Sequence, residues 1–189
     1  ELAVAWQALA WLRADANLTL SANRIKDYTD YVQHVDTYDN WSETGKTTAM
    51  NYGTTTMLMS PSLTGMARLS FKPWCHASSS LKTMELSMDG KYVGKQYMDN
   101  TMTDSRSIPA YFVSNLAVSY SFPLSGSVGF AREDSIRISF YVNNVFNNMY
   151  YADGWCWKNL IEEDGAVVDG IGVYPQAPIN CMLKVSLRF

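Results

Sequence analysis

Along most of this chain apolar and polar side chains alternate one by one, and the alternation comes in about seven long blocks. Successive strand side chains point to opposite faces, so period two predicts strands with one apolar and one polar face. The blocks cover residues 2–12, 17–31, 62–72, 81–97, 110–122, 135–147 and 174–189. In the third, Leu63, Gly65, Ala67, Leu69 and Phe71 oppose Thr64, Met66, Arg68 and Ser70. In the last, Leu183, Val185, Leu187 and Phe189 oppose Met182, Lys184, Ser186 and Arg188.

Strand length and loop order narrow the fold. Several blocks exceed ten residues; globular strands usually have about five or six, and a tilted membrane strand needs about 9–11. The connections alternate as well. Those at 13–16, 73–80 and 123–134 are shorter, and those at 32–61, 98–109 and 150–173 are mostly longer. Outer-membrane barrels have short periplasmic turns and longer external loops, whereas a soluble sandwich has no reason to sort its loops this way. The expected fold is all-β, an antiparallel transmembrane β-barrel segment. Seven strands leave open edges that lipid does not tolerate, and bacterial single-chain barrels have even strand numbers. The chain therefore reads as the C-terminal part of a larger barrel. A missed strand at 49–59 would instead make a small eight-stranded barrel with an adhesion or structural role.

Composition is compatible with this. Apolar residues make up 47% of the chain, yet mean hydropathy is -0.16. No run approaches the ~18 apolar residues that a spanning helix needs, so any crossing is by strands. The aromatic content of 13% suits interfacial girdles. The net charge of -3 and the lack of a Lys/Arg stripe argue against a nucleic-acid partner. Cys75, Cys156 and Cys181 fit neither a metal pattern nor a disulfide framework.

Candidate chemistry is sparse. His34 falls in a long loop and His76 beside Cys75 in a short turn. Neither has a serine or carboxylate partner at a recognisable spacing, so both read as surface polar residues, and no enzyme or metal site is expected. Asn143, Asn144, Asn147 and Asn148 read as structural, because asparagine tolerates turn geometry at a strand end. Glu162, Glu163, Asp164 and Asp169 read as a solvated loop rim. The charges Arg68, Glu85, Asp89, Lys91, Arg137, Lys184 and Arg188 lie opposite the apolar face, toward a lumen. Trp41, Trp155 and Trp157 fall in outer loops, where large aromatics are costly to expose and function concentrates. They are the candidate ligand contacts, with girdle anchoring or loop packing as the alternatives.

Several segments resemble the C-terminal barrel of TonB-dependent outer-membrane receptors of the Bacteroidetes type. They are Ala5-Trp6-Gln7 with Trp11-Leu12-Arg13, Asn17-Leu18-Thr19-Leu20-Ser21 with Asn23-Arg24-Ile25-Lys26-Asp27-Tyr28, and Tyr92 through Thr101. Val142-Asn143-Asn144-Val145-Phe146-Asn147-Asn148 with Tyr150, and Tyr174-Pro175-Gln176-Ala177-Pro178 through Leu187-Arg188-Phe189, complete the likeness. The Asn-Asn-Val-Phe-Asn run and the terminal Arg-Phe are the most specific. Lys184, where glycine is usual, and the cysteines depart from the pattern. The resemblance implies that residues 1–189 belong to a barrel of about 22 strands with a plugged lumen. A signal peptide, a TonB box and a plug domain would precede it. The parent would import a scarce ligand in an energised step, first of all an iron chelate such as a siderophore or haem. Its partners would be outer-membrane lipid, the plug and TonB complex, and the barrel assembly machinery, read through Leu187 and Phe189. No cofactor is implied.

Overall fold

The computed structural model describes residues 1–77, 80–124 and 135–189. Residues 78–79 of the connection 73–80, and 125–134 of the connection 123–134, lie outside the described residues.

Seven strands form one sheet in the order β1-β2-β5-β6-β9-β10-β13. They are β1 (Leu2–Leu9), β2 (Leu12–Leu20), β5 (Leu63–Phe71), β6 (Glu85–Val93), β9 (Tyr111–Pro123), β10 (Ser135–Asn143) and β13 (Asn180–Arg188). Every pairing within it is antiparallel. The alternation places Leu18, Gly65, Tyr92 and Phe112 in one row across four strands. Phe140 sits in another, between Val118 and Leu183. Among the described residues this apolar face has no protein layer over it: Trp6 is 62%, Leu183 66% and Val185 63% exposed. A soluble sandwich would bury such a face, so the exposure counts against that fold.

The opposite face is polar and internally paired. Arg13 bonds Asp15 at 2.7 Å, and Arg68 bonds Asp89 at 3.2 Å. Glu85 lies 3.7 Å from Lys72 and 3.6 Å from Arg137. Ser119 donates to Ser139 at 2.9 Å, both buried.

Four more strands make a second sheet at one end, ordered β12-β11-β3-β4. They are β3 (Arg24–Asp36), β4 (Ser42–Thr56), β11 (Tyr151–Ile161) and β12 (Val167–Pro175). Two short strands, β7 (Gln96–Tyr97) and β8 (Ser107–Ile108), pair beside it. The β3–β4 hairpin grows out of the β2–β5 connection, and β11–β12 out of the β10–β13 connection. Hairpins β3–β4 and β11–β12 meet through a three-residue parallel pairing, Asn159 to Gln33, Leu160 to His34 and Ile161 to Val35. The buried apolar residues are Val32 and Val35 of β3, Leu160 of β11, Val93 at the end of β6, Met98, and Ile108 of β8.

The pattern needs five corrections. The first turn lies at residues 10–11, not 13–16, because β2 already begins at Leu12. The block 17–31 is two strands, broken at 21–23, where Ser21 bonds the 60–62 segment through Ser21 N to Ser62 O and Ser21 Oγ to Pro61 O. Residues 81–84 of the block 81–97 fall in a 3₁₀ turn, Ser80–Thr83, and its lead into β6. The stretches read as long loops are largely hairpins, which satisfy their own backbone groups. The strand suspected at 49–59 exists in part as β4, but it pairs with β3 and adds nothing to the seven-stranded sheet, so it closes no eight-stranded barrel.

Candidate functional site

The three outer segments are joined by charge rather than by a large apolar core. Segment 94–110 folds back so that Arg106 is 3% exposed. A guanidinium carries five donors and cannot shed its charge, so burial demands acceptors on several sides. Arg106 donates to Asp99 Oδ2 at 2.7 Å, Thr101 Oγ1 at 2.8 Å and Thr103 Oγ1 at 3.1 Å. It also donates to Asp169 on β12. Asp99 in turn accepts from the Thr101 amide at 2.9 Å and its hydroxyl at 2.6 Å. Burial opposes the charge on Asp99, but hydrogen bonds from Thr101 and Arg106 outweigh it and hold the carboxyl below its usual range. Burial also opposes the charge on Arg106, and Asp99 and Asp169 reverse the effect.

A second cation ties the two large hairpins together. Lys158 on β11, 7% exposed at its side chain, donates to Asp30 of β3 at 2.6 Å. It also donates to the Tyr52 hydroxyl of β4 at 2.9 Å, with its Nζ 4.8 Å from the centre of the Tyr52 ring. Burial alone would lower the Lys158 pKa, but Asp30 and Tyr52 leave it raised. Cys156, one turn of the pleat away, has its thiol pushed up by burial.

A third tie lies at the hairpin tips. His34 Nδ1 is 2.6 Å from Glu162 Oε2 and Nε2 is 2.7 Å from Thr48 Oγ1. Lys46 also bonds Glu162, and that bond, followed by His34, holds the Glu162 carboxyl below its usual range. Glu163 accepts from the Thr37 amide at 2.9 Å. Hydroxyl, imidazole and carboxylate stand in a nucleophile–base–orienter order here. The carboxylate is shared with Lys46, and the whole row bridges β3–β4 to the end of β11, which makes it a strap between hairpins.

The readings of individual residues divide. His34 is half-buried and partnered, not a surface histidine; Glu162 lies 128 positions away, so no local spacing could reveal it. Glu162, Glu163 and Asp169 tie segments together, while Glu163, Asp164 and Asp169 stay exposed as a loop rim. The asparagines are structural: Asn144 and Asn147 adopt φ of 52° and 51°. Asn144, 3% exposed, donates to Asn148 O at 2.9 Å and Ala177 O at 3.2 Å. Asn147 caps the Ile179 amide at 2.9 Å. Trp41 lies in the β3–β4 turn with φ 61°. Trp155 and Trp157 lie on β11 itself, on the face opposite Lys158. Among the described residues Trp41 makes no ring contact with either. Leu187 is on the apolar face of β13, and Phe189 follows its end, 92% exposed.

Neither a protein-family model nor a curated protein matches the chain by sequence. Among solved structures the chain is similar to the siderophore receptor PiuA from Acinetobacter baumannii, with a TM-score of 0.62 at 12% identity. That match covers 97% of this chain and 20% of the receptor, so the chain spans a fifth of that protein's length. BauA, the ferric preacinetobactin receptor from the same organism, is also similar, at TM-score 0.47 and 12% identity over 98% of this chain and 35% of that one. The likeness to PiuA shows the fold: this all-β chain is built like a stretch of that receptor's β-barrel, and its described strands do not close on themselves.

Proposed function

We propose that residues 1–189 are the C-terminal part of a TonB-dependent outer-membrane receptor that imports a scarce ligand, an iron chelate such as a siderophore or haem. The observation that carries the reading is the two-faced sheet: seven antiparallel strands with an uncovered apolar face and an ion-paired polar face. The apolar face would meet lipid and the polar face a plugged lumen. The edge strands β1 and β13 leave backbone groups that lipid cannot satisfy, so further strands complete the wall. The Bacteroidetes-type motifs favour the family, and the likeness to a siderophore receptor favours the cargo class. In this reading the tied hairpins are the external cap. Leu187 and Phe189 carry the signal for barrel assembly, and plug and TonB contacts lie outside these residues.

The test has two parts. Immunoblotting of outer membranes with an antibody to residues 32–61 should give a mass several times 21.3 kDa; a band near that mass would overturn the receptor reading. Cells lacking the protein should then lose uptake of radioactive iron supplied as one of a panel of ferric chelates. Uptake unchanged across the panel would overturn the cargo assignment while leaving the fold intact.

A further inference from the structure

Asp169 stands beside two buried cations that belong to different outer segments. Arg106 of segment 94–110 is its partner in this structure. Lys158 is its cross-strand neighbour in the β11–β12 register, so the two side chains share one face with Cβ atoms about 5 Å apart. Lys158 instead donates to Asp30 and Tyr52. An ammonium has three donors, so one remains for Asp169.

The two seams between the outer segments are built differently. Hairpins β3–β4 and β11–β12 are joined by the parallel pairing, by Lys158 to Asp30 and Tyr52, by His34 to Glu162 and by Thr37 to Glu163. Parting them would leave Lys158, 7% exposed at its side chain, without Asp30, and a buried charge stripped of its partner is costly. The other seam has no such penalty. Among the described residues, the hydrogen bonds from segment 94–110 to β11–β12 both end on Asp169 Oδ2, one from Arg106 and one from Ser105 Oγ at 3.2 Å. Asp99, Thr101 and Thr103 lie in the same segment as Arg106, so Arg106 stays paired when Asp169 leaves. Lys158 keeps Asp30 and offers Asp169 a second cation.

We propose that Asp169 is a two-position latch: on Arg106 it closes segment 94–110 against the hairpins, and on Lys158 it lets that segment swing away while the hairpins stay joined. The latch uses groups within this chain alone and does not rest on the cargo assigned above. Cys156 reports its position. Met98 Sδ lies so near Gly154 that a Cβ there would be 2.8 Å from it, which sets segment 94–110 against β11. Cys156 follows on the same face and is half-buried. Burial and then Asp99 push its thiol up, while Arg106 and Lys158 oppose them, so the thiol lies within reach of both cations.

In the intact protein in outer-membrane vesicles, the alkylation rate of Cys156 is read by mass spectrometry of its peptide. Four proteins form a cycle: the native one, Asp169→Asn, the pair Asp30→Asn/Lys158→Gln, and all three changes together. In the pair the open position has no cation, so Asp169 favours only the closed one. There Asp169→Asn should speed alkylation about tenfold or more, the loss of one charge-assisted hydrogen bond. With Asp30 and Lys158 present the same change should speed it less than about threefold, because Asp169 then serves both positions. An equal acceleration in both backgrounds, or none in either, overturns the latch. Deuterium exchange is the second readout: Asp169→Asn should leave the amides of 96–108 protected, and those of 33–35 and 159–161 should stay protected in all four proteins. Exchange at 96–108 as fast as in Arg106→Met also overturns the proposal, because the segment would then need Asp169 to hold together. Lost protection at 33–35 in the pair moves the cycle to Asp30→Leu/Lys158→Met, which replaces the ion pair by apolar groups, and the same outcomes decide.

Discussion

Replacing Arg106 by methionine should release segment 94–110 from the outer hairpins while leaving the seven-stranded sheet assembled. The side chain is 4% exposed and bonds two carboxylates and two hydroxyls. Removing one member of a buried ionic group costs about 3–5 kcal/mol, because the partners stay behind uncompensated. Here the Asp99 and Asp169 side chains retain 24% and 32% exposure, so water can take up part of the loss. The lower end, about 3 kcal/mol, is expected. At about 1.4 kcal/mol per decade, local opening should rise roughly a hundredfold. Hydrogen–deuterium exchange reads this directly, since local opening sets the exchange of protected amides. Amides in 96–108 should exchange faster, followed by those of β11 that meet β3. Arg13→Gln removes the same charge from an exposed pair, 54% exposed at Arg13, and should leave exchange in the cap unaltered. Unchanged protection at 96–108 in Arg106→Met, or an equal rise across β5, β6 and β9, would refute the reasoning that this cation holds the cap.

Three further outcomes are expected. Asp99 is held below its usual range, so its stabilising effect is present above the ordinary carboxylate pKa of about 4 and fades as pH falls through the lower folded value; cleavage within 94–110 by an acid protease should rise steeply below that pH, and a flat profile would count against the tie. Asn144→Ala should cost about 2 kcal/mol, from lost bonds to Asn148 and Ala177 and a left-handed backbone; thermal unfolding in micelles should show Asn144→Gly recovering only the backbone part. Val185→Arg on the uncovered face should cost about 2–4 kcal/mol near the bilayer centre and lower the yield of assembled barrel, while Ser186→Arg on the polar face should be tolerated; equal yields would refute the assignment of faces.

Residue alternation determined the sheet. Period two sets which face each side chain takes, whatever the rest of the fold does, so the rows Leu63–Phe71 and Leu183–Phe189 were readable from order alone. The sorting of short and long connections was also local information, because a loop's length is a count of residues. The asparagines followed too, since their left-handed turns depend on the residue and its neighbours. What was not legible is everything made by distant residues meeting. Residues 32–61 and 150–173 look irregular because their strands are short of apolar alternation; they are strands because β3 pairs with β4 and β11 with β12, and because the hairpins then pair with each other. Arg106 and Asp169 are 63 positions apart, Lys158 and Asp30 128, and a charge in a sequence does not announce a buried partner. Trp155 and Trp157 were visible as aromatics, but only register against Gly172 and Gly170 fixed their orientation and exposure. The sequence by itself determined which face of the sheet is apolar and which is polar, since period two assigns side chains to faces from local order alone. The tertiary structure alone decided how the outer segments close, since a desolvated charge is stable only where the fold delivers its acceptors.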